Sequence, residues 1–142
     1  FRNALSVGTG ADRRLVDLLG GAAVPGQWIV TLASPTPGVC GGTSGGCYIS
    51  EVPVSYSNST NLTKSISPSG PDFGKLVLRG SVRVITNAVI SIVTTSLSTC
   101  AATSPAPCTG LSYPEFTRKL LDPSVPVSAD QLVEVKVVIS FS

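Results

Sequence analysis

The sequence predicts an all-β fold, an antiparallel β-sandwich or barrel with one short helix near the N terminus. Apolar side chains alternate with polar ones along several stretches, which is the pattern of a strand with one buried face. Pro and Gly separate these stretches, as turns require. Only 13% of the residues are charged, and the abundant Ser, Thr, Gly and Pro favour strands and turns over helices.

A chain of 142 residues is long enough for one domain with its own core. We expect residues 1–24 to form an N-terminal arm with the short helix and residues 25–142 to form the β-sandwich or barrel. The chain contains no Met and begins with Phe1. We therefore expect it to be a processed product or to lack its first residues.

The segment TGADRRLVDLLG, Thr9–Gly20, has the pattern of a helix. Thr9 can cap it, with Asp12 three residues later, and Gly20-Gly21 can end it. Its apolar stripe consists of Leu15, Leu18 and Leu19. We predict that this stripe, with the adjacent Arg13 and Arg14, is a docking face for a neighbouring subunit. An Arg pair at this position is also typical of the solvated face of an amphipathic helix.

The rest of the chain has the period of two that is typical of strands. Alternation predicts strands in four stretches, which are 27–32, 52–56, 75–84 and 133–141. The run 88–95 is apolar on both faces and is predicted to be a central strand. On these grounds Trp28 and Tyr56 are predicted to pack in the core.

The four cysteines form two closely spaced pairs, Cys40 with Cys47 and Cys100 with Cys108. Zinc sites use shorter spacings and redox centres use C-x-x-C, and the chain has no His to complete a mixed site. We predict two local disulfides, each closing a loop rich in Gly or Pro. Free structural thiols are the alternative.

No catalytic constellation is visible in the sequence, and we predict that the protein is not an enzyme and has no catalytic, cofactor-binding or metal-binding residues. The missing His removes the commonest general base, and no nucleophile motif surrounds a Ser. A net charge of +2 does not suggest a nucleic-acid partner, and no apolar run is long enough to span a membrane. Two sequons begin at Asn58 and Asn61, and we interpret them as part of a polar exposed loop.

Four blocks of the sequence resemble the small β-rich virion proteins of tailed bacteriophages, a group of head-decoration and tail-fibre-like proteins. The first block is FRNALSVGTGADRRLVDLLGG, which is similar to their short N-terminal helical segment. The second and third are WIVTLASPTPG and GGCYISEVPVSYS, each pairing a strand with a glycine-rich turn. The last is FTRKLLDPSVPVSADQLVEVKVVISFS, in which a turn at 129–131 leads to an amphipathic final strand.

The resemblance implies a structural virion protein, either a capsid decoration or cement protein or a tail component. Such a protein would assemble with itself as a symmetric oligomer, a trimer or larger, and with major capsid or tail subunits. It would be located in the virion. A small β fold whose edge strands need covering is suited to such assembly.

The alternative is a host-binding or carbohydrate-binding β module, such as a tail tip, a fibre head or a secreted adhesin. Aromatic side chains that can stack on a sugar are the residues to look for. Tyr48 and Tyr113 flank the two cysteine loops and are the candidate ligand-binding aromatics.

Overall fold

The computed structural model describes residues 11–103 and 113–140, and this part of the chain forms one α-helix, a short 3-10 helix (Gly70–Asp72) and seven strands. The α-helix is α1 (Ala11–Leu19), and the strands are β1 (Ala23–Ala33), β2 (Gly46–Ser50), β3 (Thr63–Ile66), β4 (Leu76–Arg83), β5 (Ala88–Ala101), β6 (Glu115–Val127) and β7 (Leu132–Ile139). They form two antiparallel sheets, which confirms the predicted all-β sandwich.

The four-stranded sheet has the order β2-β1-β5-β6, and the three-stranded sheet has the order β3-β4-β7. The inner faces of the two sheets enclose one hydrophobic core. Trp28 and Phe116 meet there edge to face, with ring centroids 5.2 Å apart, so the core position predicted for Trp28 is confirmed. A buried hydrogen bond of 2.7 Å joins the hydroxyls of Thr95 and Thr117.

Strands with regular alternation form as predicted, because each has one face against the core and one toward solvent. β4 and β7 pair along their whole lengths, from Leu76 opposite Ile139 to Arg83 opposite Leu132. β5 lies between β1 and β6, which confirms the predicted central strand. The edge strand β6 contains Pro123 and Pro126, which lack the N–H that a central strand uses for pairing.

The strand predicted over 52–56 is wrong, because this segment forms turns. Pro53 lacks a backbone donor, and the N–H of Ser57 donates to the carbonyl of Val54 at 3.0 Å to close a turn. The residues from 51 to 58 instead form a loop after β2, which we call the tyrosine loop because it carries Tyr56.

Helix α1 ends at the predicted glycines. Gly21 has a φ of 71°, and the N–H groups of Gly21 and Ala22 donate to the carbonyls of Leu18 and Asp17. This is a Schellman motif, which requires the left-handed conformation that Gly adopts at least cost. The chain can then turn directly into β1.

The two sheets approach each other closely at Gly80 in β4. A Cβ atom on Gly80 would lie 2.6 Å from Cγ2 of Ile49 in β2, and Ile49 is fully buried. Only a residue without a side chain fits at this distance.

Cys40 and Cys47 form a disulfide with their Cα atoms 5.3 Å apart, as predicted. Cys100 also takes part in a disulfide. Cys108 lies outside the described residues, so its pairing stays a prediction. The Cys40–Cys47 bond is compatible with a protein that functions outside the cell. Over the described residues, none of the helical structure has the length and apolar character needed to cross a lipid bilayer.

Candidate functional site

The three tyrosines of the chain lie together on the outer face of the four-stranded sheet. The ring centroids of Tyr48 and Tyr56 are 5.3 Å apart, and those of Tyr56 and Tyr113 are 5.9 Å apart. The planes meet at 76° and 81°, which is the favourable edge-to-face arrangement. We call this group the tyrosine cluster.

The cluster borders a cavity of about 330 Å³. Its floor consists of Ile29, Thr31 and Ser96, which point away from the core because their neighbours Val30 and Leu97 point into it. Thr31 lies opposite Tyr48 in the sheet, and Ile29 lies opposite Ser96. The site therefore combines aromatic walls with a floor that carries two hydroxyl groups.

Two local features position Tyr48. Gly46 precedes it on the same face, and a Cβ atom there would lie 3.4 Å from Cζ of Tyr48, so the ring lies directly over the glycine. The Cys40–Cys47 disulfide joins the preceding loop to the start of β2. The disulfide thus closes the segment between the two cysteines into a loop, which we call the stapled loop, and Tyr48 follows this loop directly in the sheet.

Asn58 fastens the tyrosine loop to this stapled loop. Its Nδ2 donates to the carbonyl of Cys40, and its Oδ1 accepts from the N–H of Tyr48, both at 2.9 Å. The other sequon residue, Asn61, has its amide bonded to the hydroxyl and the N–H of Ser81. Both Asn residues are exposed and both amides have hydrogen bonds, which agrees with the interpretation of these sequons as part of a polar exposed loop.

Tyr113 is anchored from the opposite side of the cavity. Its hydroxyl donates to Oε1 of Gln27 at 2.8 Å, and Gln27 is 2% exposed. The backbone N–H of Gln27 in turn donates to the hydroxyl of Ser98 at 2.7 Å. Within the described part of the chain, the Nε2 of Gln27 has no hydrogen-bond partner.

Among the described residues, none of those that line the cavity carries a charged side chain. Burial raises the pKa of Tyr56 above its usual value, and Tyr113 and Tyr48 add to this rise through repulsion between ionised hydroxyls. Burial also raises the pKa of Tyr113. The hydroxyls of Tyr56 and Tyr113 are therefore neutral at physiological pH and can both donate and accept hydrogen bonds.

The structure brings the two predicted ligand aromatics, Tyr48 and Tyr113, to opposite sides of one cavity with Tyr56 between them. The predicted core position of Tyr56 is wrong, since its side chain lies in this cluster and the residue is 42% exposed. The alternation in 52–56 gave the wrong signal because the segment is not a strand. Thr31 and Ser96 carried no signal, because only tertiary structure places them beneath the rings.

The predicted docking face of α1 is divided in the structure. Leu18 packs against the core, whereas Leu19 is 80% exposed. Leu15 and Arg14 are half-buried, and Arg13 is exposed and lies 3.9 Å from the carboxylate of Asp17. Whether this face binds a partner stays a prediction. Across 11–103 and 113–140, no three His, Cys, Asp or Glu side chains lie close enough together to hold a metal ion.

No protein-family model, no curated protein and no solved structure matches this chain.

Proposed function

We propose that this protein is a structural, non-catalytic component of a bacteriophage particle, either a capsid decoration protein or a tail component. Copies of the chain associate through the edge strand β6 into a symmetric oligomer, a trimer or larger. The proposal starts from the four sequence blocks that resemble small virion proteins. The structural observation that supports it best is the exposure of the edge strand β6.

β6 is a strand of 13 residues at the edge of the four-stranded sheet, and most of its side chains are exposed. Leu120 is 64% exposed and Val125 is 47% exposed. An exposed edge strand is a template for pairing with another chain, although Pro123 and Pro126 restrict such pairing to the part of β6 that precedes them. Association in a closed ring would cover it, because β6 of each copy would pack against a different surface of the next copy.

Light scattering coupled to size-exclusion chromatography tests this proposal. We expect the wild type to elute as a trimer or larger and Leu120→Lys to elute as a monomer, because a charge at the centre of the strand opposes burial of the edge. Ile66→Lys is the matched control: Ile66 is 62% exposed on β3, an edge strand of the other sheet. A wild type that stays monomeric at all concentrations would contradict the proposal.

A further inference from the structure

The geometry points to the tyrosine cluster as a binding site for a neutral carbohydrate, held between the rings of Tyr48, Tyr56 and Tyr113 above the hydroxyls of Thr31 and Ser96. This assignment goes beyond the structural role proposed above and does not depend on it. The tyrosine cluster would bind a ligand, whereas β6 would join copies of the chain.

The chemical composition of the cavity matches that of a sugar. A pyranose ring has apolar C–H faces and a rim of hydroxyls. The tyrosine rings offer flat apolar surfaces, and two successive edge-to-face contacts present these surfaces in different orientations around the cavity. Thr31 and Ser96 supply hydroxyls that can donate and accept at the floor.

The size of the cavity agrees with a small ligand. Its volume of about 330 Å³ lies at the lower end of the range of roughly 300–1,000 Å³ that is usual for small-molecule sites. The rings are also held before any ligand arrives. Gly46 and the Cys40–Cys47 disulfide fix Tyr48, and Gln27 fixes Tyr113. A preformed site loses little conformational entropy on binding.

Electrostatics favour a neutral sugar over an acidic one. The lining residues that the structure describes include no cationic group, and the basic side chains of two nearby elements are already paired. Lys64 lies 2.7 Å from Glu51, at the start of the tyrosine loop, and Arg118 lies 2.7 Å from Glu115, which is opposite Ser96 in the sheet. A phosphate or carboxylate in the cavity would have to break one of these pairs to gain a partner.

A proline-rich peptide is the other class of ligand that uses aromatic grooves. The polar floor makes it the poorer match, because a proline-rich peptide offers carbonyl acceptors but few donors to the hydroxyls of Thr31 and Ser96. A saccharide offers both donors and acceptors to these hydroxyls. The hydroxyls of the floor therefore favour a saccharide over a proline-rich peptide.

An array of neutral and acidic glycans, with decaproline as the peptide probe, tests the assignment on the full chain. Titration by NMR then gives the affinity for the neutral glycan with the strongest signal. We expect neutral glycans to bind. Binding of acidic glycans alone, of decaproline alone, or of none of the probes would overturn the assignment.

Two variants connect any binding to the cavity. Tyr56→Ala removes a half-exposed ring and should weaken glycan affinity about tenfold. Phe73→Ala, which removes a 70% exposed ring remote from the cavity lining, should leave affinity unchanged. Thr31→Val keeps the shape of the floor and removes one hydroxyl, and it should also weaken binding. Equal affinity in wild type, Tyr56→Ala and Thr31→Val would overturn the assignment.

Thermal unfolding of each variant shows that loss of binding is not loss of fold. Light scattering on the same samples keeps the two proposals separate. A monomer that binds glycans would contradict only the proposed assembly. An oligomer that binds none would contradict only the proposed glycan site.

Discussion

The two outer faces of the sandwich are built on different principles. The outer face of the three-stranded sheet is largely polar around a cavity of about 490 Å³, which is lined in part by Arg79, Glu134 and Lys136, and Val77 is a buried apolar side chain on the same face. The outer face of the four-stranded sheet has Ile29 at its centre, and this side chain is only 1% exposed although it lies outside the core. Its neighbours in the cavity lining are Tyr56 and Tyr113, which reach over the sheet from loops.

An outer face of a sheet can therefore carry a small apolar layer of its own. Water solvates the polar face, where side chains pair with one another across strands and loops. On the tyrosine face, protein covers the side chain of Ile29, and this cover is held in place by a disulfide and by Asn58. Stability should therefore depend on the buried side chains of the tyrosine face and hardly at all on the exposed charged side chains of the polar face.

The largest expected effect is that of Ile29→Ala. Removing a fully buried Ile should lower the free energy of unfolding by about 2–5 kcal/mol, as in a core. The matched change on the opposite face, Arg79→Ala, should alter it by less than about 0.5 kcal/mol, because Arg79 is exposed. Urea unfolding of both variants measures the difference. Equal effects would show that the two faces do not differ in this way.

Removal of the staple should have a smaller effect. The double variant Cys40→Ala, Cys47→Ala should lose about 2–3 kcal/mol of stability, because a loop closed over a sequence separation of 7 is released in the unfolded chain. We expect chemical shifts around Tyr48 to change and those around Lys136 to stay. An unchanged urea midpoint would refute this account of the staple.

The two faces should respond to opposite ends of the pH scale, with the smallest effects of the series. On the polar face, the hydrogen bond from Lys136 at 2.6 Å holds the pKa of Asp72 below its usual 3.8. A lowered folded-state pKa stabilises the protein above the unfolded value, and this contribution is lost as pH falls through the folded one. Lys136→Met should remove this part of the acid dependence of thermal unfolding.

The tyrosine face should lose stability in alkali. Burial raises the pKa of Tyr56 above its usual 10.0, so its contribution is complete below pH 10.0 and is lost as pH rises through the folded-state value. Absorbance at the tyrosinate band during an alkaline titration measures this directly. We expect Tyr56→Phe to flatten the alkaline limb and leave the acid limb unchanged. A tyrosine that titrates at its usual pH would contradict the cover described here.

The strands that could be predicted from the sequence are those whose burial depends on the sheet alone. Along β7, Val133, Val135 and Val137 face the core and alternate with exposed residues, so the local pattern was sufficient. The segment 52–56 has the same alternation, but Pro53 and the hydrogen bonds of Asn58 make it a loop. Alternation predicts which side chains of a segment are apolar on one face. It does not show which part of the structure covers that face.

The candidate site was predicted only in part for the same reason. Tyr48 and Tyr113 stood out because each flanks a cysteine loop, and both line the cavity. Their positions around one cavity depend on the pairing of β1 with β5 and on the contact between Tyr113 and Gln27, which are far apart in the sequence. Such long-range pairing leaves no local signal for Thr31 or Ser96.

The close approach at Gly80 has a consequence for how this sequence can vary over evolutionary time. Ile49 and position 80 share one volume between the sheets, since a methyl group on Gly80 would overlap with Cγ2 of Ile49. A larger residue at one position is compatible with the fold only if a smaller one stands at the other. Related sequences should therefore show these two positions changing together, in opposite directions of size.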